Sequence, residues 1–161
     1  MGAELFAFDF KDAFYTMHIR EGERRHVVAR GSKHFVAFKC VAFGLACGPL
    51  LWGRLAASAA RFAQAIFAPG ELRVQTYVDD PAGVVYGKSK EERNKLIAIY
   101  LLFCRTLGFD INWKKVQRGR VIDWIGGRFE LTEEEDLKVT LSSEKAQVLR
   151  RALDDIVKRG W

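Results

Sequence analysis

The stretch TYVDDPAGVVYG, residues 76–87, sets two adjacent aspartates between two apolar, β-prone runs. Arg73 to Val78 alternates and is rich in β-formers, and Ala82 to Tyr86 resumes the apolar character after Pro81. This pattern predicts a β-hairpin with an acidic tip, because β-branched and aromatic side chains suit a pleated, half-buried surface. Asp and Pro are also ordinary turn formers, so the pair alone does not separate a turn from a metal site. The rest of the chain has to decide.

ELFAFDF, residues 4–10, sets Leu5 and Ala7 against Phe6, Phe8 and Phe10 and reads as a strand ending near Asp9. HVVAR and HFVAFK, parted by Gly31 and Ser32, predict a second hairpin. From Pro49 to about Phe67 the chain is rich in Ala and Leu, with Arg54, Ser58 and Arg61 at helical spacing. That predicts a mostly buried helix with one narrow polar stripe, opened by Pro49 and stopped by Pro69-Gly70. In the next helix Ser89 and Glu92 form a capping box, and Gly108 stands where a left-handed cap is expected. Leu96, Ile99, Phe103 and Leu107 are expected to line its inner face. Short strands near 121–131 and 137–141 follow, then a helix from Ser142 through Leu149, Leu153 and Ile156. Strands and hairpins in this order argue for the α+β class, with helices packed on one face of a mainly antiparallel sheet.

At 161 residues, 49% hydrophobic and 29% charged, the chain has the size and balance of one soluble globular domain. Its longest charge-free stretch, Cys40 to Gly53, is too short to span a bilayer. The N-terminal MGAELFAFDF has no secretory pattern, and Phe6 stands where a myristoylation signal needs Ser or Thr. Three cysteines without a CxxC pair support neither a disulfide framework nor a structural zinc site. A reducing, intracellular setting is expected, cytoplasmic or nuclear. The net charge is +6 and unevenly spread. Arg20, Arg24, Arg25, Arg30, Lys33 and Lys39 form one basic region, and Lys114, Lys115, Arg118 and Arg120 another. Such clusters suit a phosphate-rich partner.

Asp9 closes the first strand and Asp79-Asp80 tip the hairpin. Acidic strand ends on neighbouring strands would suit two-metal phosphoryl transfer, in which ions roughly 3.5–4 Å apart serve the attacking and leaving oxygens. Hard carboxylate oxygens favour Mg²⁺.

Five segments then carry a family resemblance: FDFKDAFYTMHI, VAFGLACGPLLW, YVDD, LGFDINWKKVQRG and DWIGGRFEL. They stand in the order and spacing of the palm motifs of reverse transcriptases, and resemble those of retroviral, LTR-type or tyrosine-recombinase retroelements. The resemblance runs from about Glu4 to Leu131, giving a palm over residues 1–131 and a connection to the first thumb helix over 132–161. It implies an RNA-directed DNA polymerase, with two Mg²⁺ ions (Mn²⁺ a possible substitute), an RNA or DNA template, a DNA primer and deoxynucleoside triphosphates. No membrane partner is implied.

By this resemblance Asp9, Asp79 and Asp80 hold the metal ions. Lys11, Asp12 and Ala13 lie along the incoming triphosphate, and Phe14 gates the ribose 2′-hydroxyl; its plain alternative is core packing. Phe43, Gly44 and Pro49 support the nascent base pair. Either Lys114 or Lys115 serves the pyrophosphate leaving group, with Lys114 preferred. Trp124 and Gly126 belong to a hairpin that grips the primer, and Tyr77 lies near the primer end, although both aromatics could be structural.

Three features depart from the family pattern. The resemblance starts almost at the first catalytic strand, so the fingers that grip the triphosphate and a full thumb fall outside it. Pro81 follows the aspartates where an apolar residue is usual. Phe43 replaces the retroviral glutamine, although FGL is common in retrotransposon relatives. A second reading, from another class, is therefore a truncated or domesticated palm that binds nucleic acid without catalysis. An RNA-dependent RNA polymerase palm is disfavoured by Phe14 and by Tyr77-Val78 ahead of the aspartates.

Overall fold

The computed structural model describes residues 2–141 and 143–159. Its centre is a four-stranded antiparallel sheet of β1 (Gly2–Ala7), β5 (Leu72–Tyr77), β6 (Asp80–Gly87) and β8 (Gln117–Gly119), in the order β5-β6-β1-β8. Between β1 and β5 come β2 (Phe10–Lys11), the hairpin β3 (Val28–Arg30) and β4 (Phe35–Ala37), and helix α1 (Gly48–Ile66). After β6 follow α2 (Lys90–Thr106) and β7 (Asp110–Ile111), which pairs with β2. Strands β9 (Val121–Trp124), β10 (Gly127–Leu131) and β11 (Leu137–Leu141) form a separate antiparallel sheet, and α3 (Ser143–Arg159) ends the chain. The architecture is α+β, as expected.

The alternation in the first strand explains why both faces of the sheet are covered. Phe6, Phe8 and Phe10 enter one core with Trp52 of α1 and Tyr100 of α2. Leu5 and Ala7 enter a second, with Ala82, Ile122 and Leu131, so the small sheet covers the other face. Phe10 lies 5.8 Å from Trp52 and 5.1 Å from Phe109, both edge-on. Each buried ring of this kind contributes on the order of 1.5–3 kcal/mol. These contacts fix the end of β1 against the N-terminal half of α1, where the acidic residues meet.

Two helices differ from expectation. Helix α1 buries Gly48, Trp52, Ala56 and Ala63, while Leu50, Leu51, Leu55, Phe62 and Ile66 are exposed. One side of the helix meets the sheet, and the opposite side carries apolar residues as well as the arginines. In α2 the buried stripe is Leu96, Ile97, Tyr100 and Cys104. Ile99 and Phe103 only flank it and Leu107 is exposed, because the sheet meets the helix about one residue round from the expected stripe. Its termini follow the sequence: the Ser89 hydroxyl accepts from Glu92 N–H, and Gly108 has φ +83°. Ser142, the expected start of the last helix, lies outside the described residues. None of the residues of α3 is buried. Among the described residues no helix is long and apolar enough to cross a membrane.

Candidate active site

The acidic hairpin is β5–β6. Tyr77 pairs with Asp80, leaving Val78 and Asp79 as the turn. Val78 takes φ +54°, a conformation that a β-branched residue adopts only under constraint. The constraint is visible in three successive carbonyls. Val78 O accepts from the Trp52 indole at 2.6 Å, Asp79 O from Phe10 N–H at 2.8 Å, and Asp80 O from the Trp124 indole at 2.9 Å. Pro81 is fully buried opposite Thr76, and its carbonyl accepts from Phe8 N–H at 3.1 Å, so the ring sits within the sheet.

Asp9 reaches the same place from the β1–β2 junction. Its backbone carbonyl accepts from Asn112 N–H at 2.9 Å and its Oδ2 from Asn112 Nδ2 at 3.2 Å. Asp9, Asp79 and Asp80 each offer a carboxylate oxygen, and these lie within 4.8 Å of one another. Burial, a hydrogen bond with Asp9 and the charges of Asp79 and Asp9 push the Asp80 carboxyl up to about 6, against the counter-effect of Lys115. Three crowded carboxylates with one cation nearby form an under-neutralised, hard-oxygen donor set. That chemistry fits divalent Mg²⁺ or Mn²⁺.

The cation is Lys115. Its Nζ lies 3.0 Å from Asp9 Oδ2, and this contact raises the lysine's own pKa. Lys114, the preferred of the two from sequence, sits beside it in the 3-10 turn Trp113–Lys115, but among the described residues it is Lys115 that forms the ion pair with the cluster. In a 3-10 turn successive side chains point about a third of a turn apart, so only one of two adjacent lysines faces Asp9.

The other expected residues divide into groups. Lys11 and Asp12 are exposed beside the cluster; Asp12 has φ +53° and precedes the 3-10 turn Ala13–Thr16, with Ala13 buried under it. Phe14 is buried and packs 5.0 Å from Phe43, edge-on, and 6.3 Å from Trp52. With Phe43, Gly44, Pro49 and neighbours it also lines a half-open recess of about 290 Å³. Gly44 has φ +92° and open space where a Cβ would stand, so backbone conformation, not crowding, calls for glycine. Tyr77 is exposed next to the acidic turn. Trp124 is held by its bond to Asp80 and by the Phe129 ring 5.6 Å away.

Beyond Trp124 the chain turns on Ile125 and Gly126, at φ +44° and +83°, a pair of left-handed residues that suits a two-residue hairpin. Ile125, Asp123, Gln117 and Lys115 join Asp9 and Asp80 around a cavity of about 200 Å³. Asp123, Asn112, Gln117 and Trp52 were not singled out from sequence. Asn112 and Gln117 lie within the quoted LGFDINWKKVQRG segment, but their roles depend on partners far along the chain.

The reverse transcriptase (RNA-dependent DNA polymerase) family profile matches residues 3–151. The chain belongs to the reverse transcriptase family. The match runs past Leu131, where the sequence resemblance stopped. This reverse transcriptase domain superposes on foamy viral protease-reverse transcriptase bound to double-stranded DNA with a TM-score of 0.73 at 16% identity, covering 91% of this chain and 24% of that one. Against the foamy viral enzyme bound to an RNA/DNA hybrid the TM-score is 0.72 at 15% identity, covering 91% of this chain and 18% of that one. Likeness at these identities is one of fold, and the domain spans about a quarter or less of those proteins. No curated protein matches the sequence at a significant level.

Proposed function

We propose that this domain is the palm of an RNA-directed DNA polymerase from a retroelement, catalysing attack of a primer 3′-hydroxyl on the α-phosphate of a deoxynucleoside triphosphate. The observation that carries the reading is the convergence of Asp9, Asp79 and Asp80 within 4.8 Å, inside the family match. Residues 1–131 form the palm in this reading, and 132–161 lead into a thumb.

Asp9, Asp79 and Asp80 would hold two Mg²⁺ ions, which neutralise charge at the reacting phosphate and lower the pKa of the primer hydroxyl. The chain supplies position. Carbonyls fixed by Trp52, Phe10 and Trp124 keep the aspartates from reorganising when charge develops, the condition under which electrostatic stabilisation is most effective. Lys115, in place of Lys114, neutralises Asp9 in the resting site, which supports it as the proton donor to pyrophosphate in this reading. The recess walled by Phe14, Phe43 and Gly44 takes the sugar and base of the incoming deoxynucleotide, with Lys11, Asp12 and Ala13 along its triphosphate. Trp124 and Gly126, at the end and in the turn of the β9–β10 hairpin, hold the primer end in this reading, with Tyr77 close to it. The foamy viral relatives are bound to double-stranded DNA and to an RNA/DNA hybrid, which supports template and primer as partners here.

Primer extension by the full-length protein carrying this domain tests the reading, on RNA and DNA templates with deoxy- and ribonucleotides compared. Deoxynucleotide incorporation on RNA is expected. Binding of primer-template without extension, in the presence of Mg²⁺ or Mn²⁺, would favour the non-catalytic palm.

A further inference from the structure

Strand β9 is an edge: the small sheet runs β11-β10-β9, and among the described residues no strand continues it. Its hairpin with β10 closes on Trp124 opposite Gly127 across a two-residue turn, and Asp123 then faces Arg128. In an antiparallel ladder the pair that closes such a turn exchanges both hydrogen bonds, and the next pair exchanges none. The N–H and C=O of Asp123 therefore point away from β10, toward the open edge. Unpaired main chain of this kind needs a partner or water.

The side chain of Gln117 meets it. Gln117 Oε1 accepts from Asp123 N–H, and Gln117 Nε2 donates to Asp123 O, each at 2.8 Å. One carboxamide thus does for Asp123 what a neighbouring strand would do. Gln117 itself belongs to β8 in the central sheet, where it pairs with Ala7, just ahead of Asp9. The residue after Asp123 is tied as well, because the Trp124 indole donates to Asp80 O at 2.9 Å. The two sheets part at Arg120, between β8 and β9, and these bonds close the gap again beside the acidic cluster. The cavity of about 200 Å³ there is lined by Asp9, Asp80, Gln117, Asp123 and Ile125 among others, so its width depends on them.

We infer that Gln117 is a positioning residue for primer extension: its carboxamide fixes the β9–β10 hairpin, and with it the primer 3′ end, at working distance from Asp9 and Asp80. This rests on the polymerase reading for the presence of a primer. A single hydrogen bond would let the edge strand pivot, whereas two from one planar amide set both its distance and its tilt. Attack at phosphorus needs the reacting oxygen about 3–3.5 Å from its target, so a shift of about 1 Å in the hairpin is costly. Gln117 acts through β9 and needs no contact with substrate or metal to do so.

Gln117→Met keeps the length and bulk of the side chain and removes both bonds. Amide exchange of the 161-residue chain, followed by NMR in EDTA, reads the tie directly and needs no activity. The Asp123 N–H should exchange about fivefold faster or more, the equivalent of one net hydrogen bond, while the amides of β1 and β6 keep their protection. In the full-length protein, single-turnover extension should slow about tenfold or more, with primer-template affinity changed less than about twofold. A merely destabilised enzyme would lose amplitude and not rate. Wild-type exchange at Asp123 in Gln117→Met overturns the inference, and so does faster exchange with an unchanged extension rate. A wild-type protein that extends no primer overturns the polymerase reading instead, and the exchange measurement alone then decides whether Gln117 holds β9.

Discussion

The indole of Trp52, fully buried in α1, donates to the carbonyl of Val78 across 2.6 Å and so ties the helix to the turn that carries Asp79. Val78 is held at φ +54°, in the turn that its carbonyl's bond to Trp52 ties to the core. Packing and active-site geometry are therefore the same contact.

Trp52→Phe keeps most of the ring and removes the donor. It should lower stability by about 1–3 kcal/mol, through the lost hydrogen bond and the space left by the indole's second ring in the core. It should also slow catalysis by more than it weakens template binding, because the turn relaxes. Chemical denaturation and single-turnover extension together check this. A variant with normal stability and rate would show that the Val78 carbonyl finds water.

Asp79→Asn should leave the fold intact and reduce extension by the full-length protein about a thousandfold or more, since loss of a metal-bridging carboxylate removes several kcal/mol of transition-state stabilisation. Retention of a tenth of the turnover would sink the two-metal assignment.

Millimolar Mg²⁺ or Mn²⁺ should raise the melting temperature, and Asp9→Ala should abolish that rise. The effect should depend on pH. Because Asp80 titrates at about 6 in the fold against 3.8 ordinarily, the metal-free fold binds more protons than the unfolded chain between these values. Its contribution to stability therefore falls as pH rises through that window. A divalent ion competes with the proton, so the metal response should be larger at pH 7 than at pH 5. An unchanged response in Asp9→Ala would place the ion elsewhere, for instance at the acidic run Glu133–Asp136.

Most of the fold was legible because it follows from local pattern. The alternation of Leu5 and Ala7 against Phe6, Phe8 and Phe10 specified a strand, and the β-prone runs on either side of Asp79-Asp80 specified a hairpin, whereas the cover that the small sheet gives to the second face was not foreseen. The acidic cluster was legible through the order of the family's motifs. What sequence could not resolve depends on rotation within a turn or on distant partners. Lys114 and Lys115 are chemically alike, and only the path of the turn Trp113–Lys115 brings one to Asp9. Likewise, nothing near Trp52 announces Val78, and nothing in α1 says that Leu55 and Phe62 stay outside.

That distinction between lysines is measurable. Lys115→Met removes the cation competing for Asp9 and should tighten metal binding up to about fivefold, the equivalent of a surface pair worth at most 1 kcal/mol. Lys114→Met should leave it unchanged. Isothermal titration with Mn²⁺ compares them, and the reverse ranking would return the role to Lys114.

The last prediction concerns Phe14, whose ring is both buried and a wall of the recess. It meets Phe43 edge-on and Trp52 at a tilt, and a Cβ on Gly48 would meet the ring at 3.4 Å, so the side chain has little room to move. A ring fixed from behind is suited to exclude a 2′-hydroxyl in front of it by shape. Phe14→Val should cost about 1–3 kcal/mol in lost burial and cavity formation. Because the freed volume opens onto the recess, it should also admit ribonucleotides. The measurement is the ratio of kcat/KM for deoxy- over ribonucleotides in the full-length protein, beside its melting temperature. A lower ratio that persists at temperatures well below melting assigns the ring to sugar selection. An unchanged ratio in a destabilised enzyme makes Phe14 packing alone, and sugar choice must then come from a residue outside this recess.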